Sequence, residues 1–221
     1  MLKILVNFST ALTGIVSFVL GVYTLYRNPK GRANKMWFLT SMAIVIWNIG
    51  YLVSTNTQTE AISARWVYLT YFGVLLIPIF SMHFVISFLR QEKRKKYLLI
   101  VCYIITLLAL ILLYTTNFII KGTSYTAGFG FNEDPGKYFW VFLIFFFSLP
   151  VYATYLLIKS YLHSDGITKK QSLYLLLAFL IGFSGGGTNY LTGTLGIFPY
   201  GQMLVFLFPI IITYGIFLKK Y

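Results

Sequence analysis

Ser184 stands between glycines in Gly182-Phe183-Ser184-Gly185, inside the apolar stretch 180–190. An intramembrane serine hydrolase would carry a serine so placed, and it would need a general base within reach of the hydroxyl. The chain has two histidines, His83 and His163, and His163 falls in a polar loop. At about 100° per residue, Gly182, Gly185, Gly186, Asn189 and Gly193 share one helical stripe, with Ser184 nearly opposite beside Thr188. Gly182-x-x-x-Gly186 is a spacing at which membrane helices approach closely. Ser184 is therefore read as structural, and Gly182 and Gly186 as helix-packing positions. The run Gly185-Gly186-Gly187 leaves a second reading open, a broken helix that walls a pocket.

Other chemistries lack their residues. Two histidines cannot make the three-ligand site of a seven-helix zinc hydrolase, and the lone Cys102, inside an apolar run, makes no Cys-based metal site. A retinal Schiff base needs a lysine within the last span, and Lys219 and Lys220 stand at its very end. No catalytic residue, metal or cofactor is expected, and the chain is read as no enzyme. His83 shares a stripe with Tyr68, Phe72 and Ile79 beyond Pro78. Without an intramembrane acid to exchange protons with, it is read as a neutral histidine bonded to a neighbouring helix.

Binding is better represented. Ser41, Ile44, Asn48, Tyr51 and Thr55 recur at intervals of 3, 4, 3 and 4, which puts them on one helix face. An asparagine at membrane depth must find a partner in protein or trapped water. Asn48 and Tyr51, Phe72 on the next span, and Asn189 and Gln202 on the last two gather in the outer half. Polar groups among aromatics describe a small-molecule pocket, and these five are expected to border one cavity that opens outward and is closed from the cytoplasm. Bonds that merely join helices are the alternative.

The elements that must position these residues are membrane spans. The chain is 58% hydrophobic and only 10% charged, a balance that no water-soluble domain of this size could cover. A span needs about 20 mainly apolar residues to cross roughly 30 Å of hydrocarbon. Seven such runs occupy approximately 4–26, 36–56, 65–89, 97–119, 138–160, 171–192 and 200–218. The net charge of +13 would suit nucleic acid, but the basic residues cluster between the spans. Fourteen of the eighteen fall on one side, in loops 27–35 and 90–96, at Lys159, Lys169 and Lys170, and at Lys219 and Lys220. Basic loops stay in the cytoplasm, so the N-terminus is expected outside and the C-terminus inside. The long outer loop 120–137, "IKGTSYTAGFGFNEDPGK", reads as a turn-rich cap, with Glu133 and Asp134 in a solvated turn rather than at a cation.

The stretches "NPKGRANKMWFLTSMAIVIWNIGYL" (28–52) and "ARWVYLTYFGVLLIPIFSMHFVISF" (64–88) resemble the N-terminal seven-helix region of membrane histidine kinases. The pattern is carried by Asn28-Pro29, Asn34, Trp47, Gly50-Tyr51, Tyr71, Gly73 and Pro78, and "ITYGIFLKKY" resembles the handover to cytoplasmic signalling domains. The resemblance implies an all-α, seven-helix sensory input module in a prokaryotic plasma membrane, and gives no ligand or site residue. Such a module would detect a small or lipidic ligand or the membrane state, and would signal through its last helix. Since no kinase, PAS or cyclase domain follows Tyr221, the expected output is a domain lost by excision or a partner protein. A homodimer is one assembly open to it. The rival reading is a small transporter with its site at the glycine-rich sixth span, against which stands the absence of Asp or Glu from the spans.

Overall fold

A computed structural model describes residues 2–217, without the side chains of 192–194; Gly193, Lys219 and Lys220 lie outside what is described. Lipid gives the backbone no hydrogen-bond partner, so apolar runs close their bonds within helices. Helices α1 (Leu2–Arg27), α2 (Arg32–Asn56), α3 (Glu60–Phe88), α4 (Lys96–Thr115), α5 (Phe139–His163) and α6 (Gly166–Gly187) follow the first six apolar runs. All six are long and apolar enough to cross a bilayer. The last run is divided. After α6 come a short helix α7 (Asn189–Leu195), a 3-10 turn (Tyr200–Leu204) and the apolar helix α8 (Leu207–Phe217). Between α4 and α5 the outer loop forms an antiparallel hairpin of β1 (Ile120–Thr126) and β2 (Gly130–Pro135).

Helix α1 is apolar outside and mostly small or polar within. Its buried residues are Val6, Ser9, Thr10, Thr13, Ser17, Gly21 and Thr24, while Ile4, Phe8, Ile15, Phe18 and Val19 face outward. The Thr13 and Thr24 hydroxyls donate to carbonyls one turn back, Ser9 and Leu20, both at 2.7 Å. They are thereby satisfied, and the small face lets α2 approach.

Residues of the family-like pattern do structural work. A Cβ on Gly50 would stand 2.7 Å from the Thr70 backbone nitrogen, and one on Gly73 2.6 Å from that of Trp47. Glycine at these two positions lets α2 and α3 touch backbone to backbone. Asn28 Oδ1 accepts from the Gly31 N–H at 3.0 Å, and Asn34 Nδ2 donates to the Thr24 carbonyl at 2.9 Å. These bonds set the turn from α1 into α2.

The core has two parts. Toward the end that carries the basic loops, here the inner end, Trp37, Met82, Phe84, Leu157, Leu175 and Phe179 are sealed from the surroundings. Toward the outer end Tyr71, Phe139, Phe142, Phe146 and Tyr190 form an aromatic cluster that includes Ile120 of the hairpin.

Candidate functional site

The outer half is where the backbone departs from regular helix. Helix α6 ends at Gly187, and Thr188 closes it by donating both its N–H (3.2 Å) and its hydroxyl (2.6 Å) to the Gly185 carbonyl. The glycine run therefore breaks the helix and packs tightly as well. A Cβ on Gly185 would stand 2.7 Å from the Gly201 carbonyl, and one on Gly182 2.5 Å from the Phe208 ring. Gly186 is looser, its nearest neighbour being the tip of Trp47 at 3.4 Å. Gly182 and Gly186 also border a cavity of about 30 Å³, with Trp47, Phe146, Tyr190 and Phe208 around it. It is apolar and holds roughly one water's volume.

Ser184 faces outward, and its hydroxyl donates to the Leu180 carbonyl of its own helix. His83 Nδ1 meets the Tyr103 hydroxyl of α4 at 2.8 Å. The two side chains are thus occupied in different places.

Of the five pocket residues, the structure brings two together. Asn189 Nδ2 donates to Gln202 Oε1 at 2.9 Å and to the Gly186 carbonyl at 3.1 Å. Gln202 is fully buried; its Nε2 donates to Thr10 Oγ1 at 3.3 Å, and its carbonyl accepts from the Ser9 hydroxyl at 3.0 Å. One network thus joins α1, α6, α7 and the turn before α8. Ser9 and Thr10 were missed in the sequence, although their place on a stripe of small polar residues was a usable signal.

The other three lie apart. Asn48 donates to the Ile44 carbonyl of its own helix at 2.7 Å and borders a separate groove of about 320 Å³ with Thr10, Gly14 and Phe18 of α1. Tyr51 is half-buried toward the hairpin, and Phe72 is half-buried outside the aromatic cluster, which takes its neighbour Tyr71 instead. None of the cavities described is bordered by all five. The largest of the cavities described is at the opposite end from the one expected: a polar cleft of about 940 Å³ at the inner end, among Arg32, Asn34, Ser87, Glu92, Lys159 and Gln171. The inner span ends are therefore not packed shut. Two carboxamide oxygens, Asn48 Oδ1 and Asn189 Oδ1, are buried with no hydrogen-bond partner among the described residues. Such atoms are uncommon in folded proteins.

The hairpin corrects the reading of the outer loop. Its tip turns through Gly128 (φ +83°) and Gly130 (φ +94°), the left-handed conformations that glycine adopts without strain. A Cβ on Gly130 would overlap the Thr55 carbonyl at the top of α2. Lys3 Nζ donates to that same carbonyl at 2.9 Å. Asp134 pairs with Lys121 at 3.4 Å. Glu133 is not in a solvated turn: it points inward among Tyr51, Tyr71 and Tyr190. Its carboxylate faces the Tyr71 hydroxyl as a polar neighbour, though the pair lies outside the geometry of a formed bond and the hydroxyl has no such bond elsewhere. Burial pushes the Glu133 carboxyl up to about 7, against smaller opposing effects from its own backbone N–H and the nearby Tyr71 hydroxyl. Among the described residues no group of three or more His, Cys, Asp or Glu is placed to hold a metal ion.

The structure is that of a multi-pass helical membrane protein with a hairpin between α4 and α5 and a polar network at a helix break. Residues 9–220 match the family described as the N-terminal 7TM region of histidine kinase, and the chain belongs to that family. No curated protein matches it.

Proposed function

We propose that the chain is one membrane domain of seven spans, N-terminus outside and C-terminus in the cytoplasm, that senses a small or lipidic ligand or the membrane state. It passes the signal through α8 to a cytoplasmic kinase or another output domain or partner, in a prokaryotic plasma membrane. The observation that carries this is the network from Ser9 and Thr10 through Gln202 to Asn189 and Gly186. It ties the capped outer half to the turn that leads directly into α8. A change in occupancy beside Asn189 is therefore felt at the start of the output helix. The unpartnered oxygens of Asn48 and Asn189 supply acceptors for a ligand, and Tyr51, Phe72 and Gln202 complete the proposed set.

Membership of a histidine kinase family favours sensing over transport. The break at the end of α6 and the open inner cleft favour transport, but the sealed cluster around Trp37, Phe84 and Phe179 separates the cleft from the outer half. The test is a kinase assay on the chain joined to its output domain or partner. Asn48→Ala should keep near-normal melting and Asn189→Ala, which loses its bonds to Gln202 and the Gly186 carbonyl, should lose about 0.6–2 kcal/mol; both should keep expression and alter the stimulus-dependent signal. An unchanged signal in both, or solute uptake by proteoliposomes holding the chain alone, would reverse the ranking. A reporter fused after Lys220 should be active only in the cytoplasm.

A further inference from the structure

At the inner end a second groove lies between the first turns of α2 and α4. It holds about 450 Å³. Its rim carries Arg32, Lys35, Lys93 and Lys96, and its single acid there, Glu92, is already committed. Glu92 accepts from Arg32 at 3.2 Å and from the Ser87 hydroxyl at 2.8 Å. Lys35, Lys93 and Lys96 have no ion-pair partner among the described residues. Below the rim the wall turns apolar, with Met36, Leu99 and Ile100, and its floor is the hydrogen-bonded His83–Tyr103 pair. Two helix N-termini, at Arg32 and Lys96, flank the rim, and neither has an acidic residue in its first turn or a side-chain cap. Their exposed N–H groups add positive potential to that of the side chains.

We infer that this groove binds an anionic phospholipid, with the phosphate between Lys35, Lys93 and Lys96 and an acyl chain along Met36, Leu99 and Ile100. Basic pockets between spans at the cytoplasmic surface recognise such headgroups. Topology alone explains basic loops but not this arrangement, because other cations at the same end are used differently. Lys95 lies over the Tyr152 ring at 5.3 Å, and Lys169 over Tyr161 at 5.2 Å. The Arg32–Glu92 bridge borders both the groove and the central cleft in which Ile216 of α8 ends. A phosphate in the groove competes with Glu92 for Arg32 and loosens the wall between lipid and cleft. The proposal rests on the chain's spanning a bilayer and not on its sensory role.

The experiment is native mass spectrometry and thermal melting of the purified chain in detergent, titrated with phosphatidylglycerol, phosphatidylcholine or sodium phosphate. Phosphatidylglycerol should be retained and raise the melting temperature, phosphatidylcholine should do neither, and free phosphate should not substitute. The triple variant Lys35→Gln, Lys93→Gln, Lys96→Gln should weaken retention at least about ten-fold. The control Arg94→Gln, Lys169→Gln, Lys170→Gln removes the same charge outside the groove and should retain the lipid. Equal loss in both triples would reduce the effect to net charge and overturn the site. Stabilisation by free phosphate equal to that by the lipid would overturn the lipid assignment. If the first triple fails to fold, Ile100→Trp, which fills the apolar wall, replaces it and should lower retention alone.

Discussion

In the inner half Trp37, Phe84 and Phe179 are at most 1% exposed and lock α2, α3, α6 and α8 into regular helix. In the outer half the same four elements meet a helix break, a 3-10 turn, a glycine–glycine contact and a carboxylate supplied by a hairpin. Membrane helices gain little from hiding apolar side chains, since lipid is equally apolar, so close packing and hydrogen bonds must hold them. The inner half rests mainly on packed apolar side chains, whereas the outer half adds a hydrogen-bonded network to its aromatic cluster and glycine contacts. A packed core has one arrangement, whereas a network of a few bonds can exchange partners. The difference places the densely packed part of the molecule near the basic loops and the part held by a few exchangeable bonds beneath the hairpin.

The largest effect should come from the densely packed part. Trp37 stacks edgewise on Phe208 of α8 at 5.6 Å and tilts against Phe84 at 5.7 Å. Trp37→Ala should cost about 3–5 kcal/mol, read as a lower melting temperature in detergent. Trp37→Phe should cost far less, because the indole N–H is buried without a partner and its loss removes an unsatisfied donor. Equal damage from both would mean that the inner half is not held by packing volume.

Next is the helix crossing that divides the two regions. Gly185→Ala drives a methyl into the Gly201 carbonyl, a backbone atom that cannot rotate away, and should cost about 1–3 kcal/mol. Gly186→Ala meets only the edge of Trp47 beside the small cavity and should fall within about 0.5 kcal/mol. Circular dichroism melts of the two variants suffice. A reversed order would move the close contact from Gly185 to Gly186.

How far this was readable follows from what each feature depends on. Six spans were legible because lipid forces uninterrupted apolar runs. The outward Ser184 was legible because a helix fixes its phase, whereas packing was expected at Gly182 and Gly186 and the tight backbone contact falls at Gly185 instead of Gly186, a difference of one residue that the glycine run itself hides. Thr188 ends α6 through bonds to Gly185, a local event that hydropathy averages away, and the last run hides a turn for the same reason. Of the five pocket residues, all in plausible spans, Asn189 and Gln202 meet only because the chain doubles back between them. Tyr71 rather than Phe72 turns inward, a one-residue phase difference on α3. Glu133 was misread because polar residues in an outer loop normally face water, and its burial depends on a hairpin docking that no local pattern announces.

The network itself should give a smaller loss. Gln202→Leu removes the side-chain bonds to Thr10 and Asn189 and should cost about 1–2 kcal/mol. Asn48→Ala should leave melting close to the parent, because its one bond is to its own helix. A double-mutant cycle of Gln202→Leu with Thr10→Val measures the α1 link directly. Strict additivity there would remove the coupling that the sensing proposal needs.

The smallest effect on whole-chain stability, and the most specific to the outer half, concerns Glu133. Its carboxyl lies at about 7 in the folded protein, above the ordinary 4.5, chiefly through burial. A raised carboxyl means that the docked hairpin holds the proton more tightly than the released one. Docking is therefore fully favoured below about 4.5 and weakens as pH rises from there through about 7, beyond which the loss levels off. The charged groups near the hairpin are Lys3 on the Thr55 carbonyl and the Lys121–Asp134 pair; the remaining faces are the tyrosines 51, 71 and 190. Hydrogen exchange of β1 and β2 should accelerate between pH 5 and pH 8 beyond the intrinsic chemical change, while α3 stays protected. Glu133→Gln, which keeps the shape and removes the titration, should give hairpin protection that no longer varies with pH. Helix α8 offers a second readout, because Phe129 of the hairpin turn touches Phe198 at 5.4 Å, two residues before the 3-10 turn that precedes α8. If release of the hairpin is felt there, exchange at residues 200–206 rises with the hairpin's in the parent and stays flat in Glu133→Gln. Hairpin exchange that rises alone would leave the cap pH-sensitive but uncoupled, and the response would end at the hairpin.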